Sequence, residues 1–99
     1  MFISILEAQV APEKRAALEE AFKGIVGHMP PGMEQIFLTN STTEPTLWRM
    51  MAMWTSREAA EAIRFGPQTP GGILMFRGVG AEPTWNLFEV VGHSTASSH

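Results

Sequence analysis

Trp54 is the residue of this sequence best placed to meet a ligand. It closes the apolar run 46–54 and is followed at once by Thr55-Ser56-Arg57-Glu58, which has the chemistry of a helix start. An indole at such a junction can stack on a flat molecule and donate one hydrogen bond, or it can serve as a core side chain that pins the helix. Arg77 lies in the Gly- and Pro-rich segment 67–83. If that segment folds over the sheet, its guanidinium would clamp an anionic group; otherwise it is a solvated surface charge. Leu6, Leu38, Trp48, Met50 and Phe88 are expected on the strand face that carries Trp54, where they line an apolar pocket or fill a core. Asn86 is the one amide expected there. It would orient a carbonyl group or satisfy backbone near the strand start.

Few other residues offer chemistry. The chain has no Cys, and all ten of its acidic residues are Glu. That excludes a thiolate nucleophile, a disulfide, a thiolate zinc site and any Asp-containing triad. His28, His93 and His99 are scattered without carboxylates at ligand spacing, so no metal and no cofactor is expected. His28 falls at the end of the first helix, where a cation offsets the helix dipole. Gly71-Gly72 lacks the strand-turn-helix frame of a phosphate loop. The net charge is −3, and Lys14-Arg15 is the only adjacent basic pair, so no nucleic-acid partner is expected. The N-terminal apolar run is short and has no basic flank. It reads as neither signal peptide nor membrane span, which makes the cytoplasm the expected location.

The elements that must position these residues are legible in outline. Residues 2–10 are rich in branched and aromatic side chains and predict a strand, with Pro12 opening a helix. Leu18, Phe22, Ile25 and Met29 form the stripe of an amphipathic helix that Pro30-Pro31-Gly32 stops. Residues 33–39 and 46–54 predict two strands joined by a polar hairpin loop. A capping box at Thr55–Glu58 starts a second short helix, which Gly66-Pro67 ends. Within 67–83, Ile73–Phe76 predicts one helical turn. Residues 85–92 form a last strand, and 93–99 a frayed tail beyond a single domain over 1–92. The order is β-α-β-β-α-β, an α+β ferredoxin-like fold with a four-stranded antiparallel sheet.

Both faces of that sheet are apolar. Trp48, Met50, Ala52 and Trp54 share one face of the third strand, and Leu47, Arg49, Met51 and Met53 share the other. Two helices cover one face only. The second face, with Glu7, Gln9, Gln35, Arg49 and Glu89 as its wetter residues, is expected to pack on a second copy, with Arg49 paired to Glu7 or Glu89. Only 17% of the residues are charged, which suits a chain with surface to cover.

Pro31-Gly32-Met33, entering the second strand, and Met53-Trp54-Thr55-Ser56-Arg57-Glu58-Ala59 resemble the antibiotic biosynthesis monooxygenase-like family of the dimeric α/β-barrel superfamily. The resemblance spans residues 2–91 and implies a homodimer. Its cofactor-free quinol-type enzymes carry an Asn four residues before the Trp, a Tyr six residues after it, and a later Arg. Here those positions hold Met50 and Ala60, with Arg77 as the candidate for the third. The haem-degrading branch carries Asn, Trp and His where this chain has Leu6, Ile63 and approximately Ile73. The resemblance therefore implies a cofactor-independent monooxygenase acting on a small electron-rich aromatic, with Trp54 and Arg77 as catalytic candidates. The substituted positions favour the alternative, a non-catalytic binder of small apolar molecules on the same fold.

Overall fold

A computed structural model describes residues 1–96. The chain runs β1 (Phe2–Gln9), a 3-10 turn (Pro12–Lys14), α1 (Arg15–Val26), β2 (Met33–Asn40), β3 (Leu47–Trp54), α2 (Arg57–Arg64), α3 (Gly71–Gly78) and β4 (Thr84–Glu89). The four strands form one antiparallel sheet in the order β2-β3-β1-β4, so the ferredoxin-like arrangement is present. Residues 93–96 carry no helix or strand, and 97–99 of the expected tail lie outside the described residues.

Register decides which side chains share a face. Leu6 stands opposite Met50 on β3 and Trp85 on β4, and Ser4 stands opposite Ala52 and Leu87. Trp85 and Leu87 therefore belong to the covered face. Asn86, opposite Ile5, and Phe88, opposite Ile3, point to the open face instead. This corrects the expected placement of both residues by one position along β4. Glu89, opposite Phe2, leaves the open face for the same reason. Arg49 pairs with Glu7 across β1 and β3 at 2.6 Å.

The third helix is the larger departure. The one turn expected at Ile73–Phe76 is a full helix, and it supplies more of the core than α2 does. Gly72, Ile73, Met75 and Phe76 are buried on α3, against Ala60 alone on α2. Gly72 permits the close approach. A Cβ there would run into the ends of the Met50 and Leu6 side chains. The cap of α2 also lies one residue later than expected. Ser56 Oγ accepts from the Ala59 N–H at 3.1 Å, while the Thr55 N–H donates to the Gly32 carbonyl at 2.8 Å.

That last bond fixes the turn before β2. Gly32 has φ +87°, and a Cβ on it would lie 2.5 Å from the Ala59 Cβ. The turn and the start of α2 thus touch with no room between them. Gly32→Ala combines a left-handed backbone with a collision and should cost about 2 kcal/mol or more. Gly24→Ala, where nothing lies within 4 Å of a new Cβ, should stabilise α1 by roughly 0.5–1 kcal/mol. Urea unfolding of the two variants checks both signs. Equal midpoints would show that the Gly32–Ala59 approach constrains nothing.

Candidate functional site

The covered face does not close into a single core. One buried cluster gathers Leu6, Trp48 and Met50 with Leu18, Ile73 and Phe76, and a smaller one holds Ala52, Trp54 and Ala60. Between them lies a cavity of about 420 Å³, within the range of small-molecule sites. Its floor is Ser4 and Leu6 on β1, Met50 and Trp54 on β3, and Trp85 on β4. Ala60, Ile63 and Arg64 of α2 wall one side, and Gly72, Ile73 and Met75 of α3 wall another. The end of α1 brings Ile25 and His28 to the rim.

The cavity has one buried hydrogen bond in its floor. The Trp54 Nε1–H donates to Ser4 Oγ at 2.9 Å. Trp54 is 3% and Ser4 5% exposed, so the pair sits out of water. This indole donor is already used. The Ser4 hydroxyl, accepting from Trp54, keeps its own hydrogen to give away. The hydroxyl, not the indole, is the floor's free donor. Ser4 was not a candidate from sequence because its partner is fifty residues away.

Two charged or titratable side chains line the cavity, Arg64 and His28. His28 Nδ1 lies 3.2 Å from the Gly24 carbonyl. Nδ1 must carry the hydrogen in that bond, which leaves Nε2 as the lone-pair nitrogen of the neutral ring. No carboxylate lines the cavity.

Of the residues singled out from sequence, Leu6, Met50 and Trp54 line this cavity. Leu38 and Trp48 share its face but border a groove beside α1, where the Arg15 guanidinium lies 5.2 Å from the centre of the Trp48 ring. Asn86 and Phe88 are on the far side of the sheet. Arg77 borders an adjacent polar recess and is held by Glu82, with Nη2–Oε1 at 2.8 Å and Nε–Oε2 at 3.0 Å. That bidentate bond holds the Glu82 carboxyl below its usual range. The clamp expected of Arg77 is therefore closed on a neighbour.

Residues 1–68 match the profile of a family described as antibiotic biosynthesis monooxygenase. The chain belongs to that family. Solved structures agree on the fold. An antibiotic biosynthesis monooxygenase-type protein of Deinococcus radiodurans is similar at TM-score 0.76 and 14% identity, covering 99% of this chain and 100% of that one. MhuD of Mycobacterium tuberculosis, a haem-degrader solved with two haems in its active site, is similar at 0.72 and 22%, covering 96% and 100%. A Chloroflexus aurantiacus protein of the same family description is similar at 0.67 and 19%, covering 95% and 96%. No curated relative matches the sequence at a significant level.

Family membership raises the question of haem, and the wall does not fit a haem-degrading site. Leu6, Ile63 and Ile73, at the positions where that branch is expected to carry Asn, Trp and His, all line the cavity and offer no atom to iron. No group of three potential metal ligands exists among the described residues, and no helix there is long and apolar enough to cross a membrane.

The floor bond makes a quantitative claim. Ser4→Ala strands the indole N–H in an apolar site and should cost about 1–3 kcal/mol. Combining it with Trp54→Phe should cost less than the sum of the two single variants, leaving a coupling of about 0.5–3 kcal/mol in a double-mutant cycle. Strict additivity in denaturant unfolding would mean that the two groups do not interact.

Proposed function

We propose that the protein is a cofactor-independent monooxygenase for a small electron-rich aromatic, of quinol or anthrone type, bound in the cavity between the two core clusters. The observation that carries this reading is the cavity itself: largely apolar walls, with a single oriented hydroxyl in the floor, a guanidinium in one wall and an imidazole at the rim. In such chemistry the substrate supplies the electrons. Its hydroxyl loses a proton, the resulting anion adds dioxygen at an ortho or para ring carbon that bears one hydrogen, the peroxide takes up a proton, and the hydroperoxide loses water to leave a carbonyl. One dioxygen is consumed: one of its oxygen atoms stays in the product as C=O and the other leaves as water. The protein binds the ring, stabilises the anion and excludes bulk water. Ser4, oriented by Trp54, donates to the substrate oxygen, and His28 Nε2 receives its proton.

Oxygen uptake with a panel of dihydroxynaphthalenes and anthrones, with no flavin or metal added, tests this. Ser4→Ala should lower turnover about tenfold to a hundredfold, the worth of one hydrogen bond to a charged oxygen. The family's Asn and Tyr positions hold Met50 and Ala60, which supply no hydrogen-bond donor. Turnover should therefore be slow and should rise with pH as the substrate ionises. Binding of the same compounds with no uptake above the uncatalysed rate would make this a binding protein.

The functional unit we propose is a homodimer joined through the open sheet face. Phe37 and Phe88 are 47% and 51% exposed there, beside the partly exposed Ile3, Ile5, Met51 and Met53. Contiguous apolar surface of this kind marks an interaction site. Light scattering at micromolar concentration should give twice the chain mass. Met51→Glu should shift it towards the monomer, and Glu20→Lys on the outer face of α1 should not.

A further inference from the structure

Arg64 stands apart from the other four arginines. Arg15, Arg49, Arg57 and Arg77 each pair with a glutamate, Glu19, Glu7, Glu61 and Glu82 respectively. Arg64 has no carboxylate partner among the described residues, although Glu61 lies one turn back on the same helix, engaged by Arg57. Its Nε is cut off from solvent and has no hydrogen-bond acceptor. The guanidinium carbon lies 5.4 Å from the ring centres of both Phe65 and Trp85, whose rings meet edge to face at 6.1 Å. Arg64 borders both the apolar cavity and the polar recess beside it.

A place at the end of α2 accounts for a cation, because the helix dipole favours one there. It does not account for a donor turned away from water. The two rings stabilise the positive charge and fix the plane of the fork, yet accept no strong hydrogen bond from it. The Nε is as closed to a ligand as to water, so the donors left to meet a ligand are the Nη groups of the fork, which have no protein acceptor among the described residues. We infer that Arg64 is the anion anchor of the cavity, and that the natural ligand is a flat aromatic carrying an anionic oxygen, a carboxylate or an ionised ring hydroxyl. This rests on the cavity being the ligand site. The ligand then spans two poles. Trp85 stands opposite Leu6 on β1, and Ser4 lies two residues along the same strand, about 7 Å away. A standing anionic group docks under Arg64, and the ring oxygen that ionises for the reaction meets the Ser4 hydroxyl.

Three probes test the anchor: 2-naphthoate, its neutral amide 2-naphthamide, and 4-nitrophenol, whose bound phenolate is read by absorbance. Tryptophan fluorescence follows the first two. Naphthoate should bind about tenfold to a hundredfold more tightly than naphthamide if the anchor takes carboxylates. If it takes ring oxyanions, the pKa of bound nitrophenol should fall by about one unit or more. Either preference supports the inference, provided that Arg64→Gln abolishes it while naphthamide binding is unchanged. If Arg64→Gln also loses naphthamide, the cavity has changed shape, and Arg64→Lys, which retains the charge, must retain the anion preference. Naphthamide binding with no advantage for either anion in the wild type would overturn the anchor and leave the cavity standing as a ligand site. An anion preference that survives Arg64→Gln would overturn it as well. Failure of all three probes to bind would overturn the anchor together with the cavity.

Discussion

The organisation of this protein depends on a gap in its packing. Ser4 and Ala52 face each other across β1 and β3, and Ala60 is buried beside them on α2. Of these, Ser4 and Ala60 face the cavity, where a larger core would place Leu or Ile. Interiors pack to near crystalline density, so a shortfall of this size leaves a hole. The hole divides the apolar layer into two clusters, and each helix takes its place around it. Ser4 is the only buried polar side chain on the covered face among the described residues, and it sits in the floor of that gap, held by Trp54.

The two segments that most resemble the family turn out to touch one another. Gly32 of the Pro-Gly-Met turn packs against Ala59 of the Trp-Thr-Ser-Arg-Glu-Ala segment, and the Thr55 N–H bonds to the Gly32 carbonyl. A residue larger than Gly at 32, or larger than Ala at 59, would prise the second strand from the second helix. The shared residues therefore carry architecture, which explains how the fold can be common while the residues that would do chemistry differ.

Much of the fold was legible because Glu7 and Gln9 on β1 and Arg49 on β3 mark one face as the wetter, although both faces are largely apolar. β4 could not be phased in this way. Trp85, Leu87 and Glu89 form one set and Asn86 and Phe88 the other, and each set mixes apolar with polar, so only pairing with β1 decides. The helix Gly71–Gly78 was hidden for a different reason. Its apolar centre is bounded by glycines and buried on much of its surface, so it has no polar stripe to reveal a helical period. Of the site, Trp54, Met50 and Leu6 were readable, while Ser4 and Arg64 were not. Each is an ordinary residue for its element, a serine in a strand and an arginine ending a helix. Their significance lies in partners, one gained across the sheet and one lacking, and neither leaves a local signal.

Three methionines, Met33, Met50 and Met75, stand on the cavity wall. A thioether chain is unbranched and turns about three bonds, so such a wall yields to the outline of what enters. Branched aliphatic side chains would hold one shape and reject its neighbours; sulfur-bearing ones remould. Tolerance of ring outline follows, so closely related ring systems would differ little in how well they fit. Discrimination then falls to the few polar atoms with fixed directions, and the repertoire of compounds accepted is broad in silhouette and narrow in where their oxygens lie.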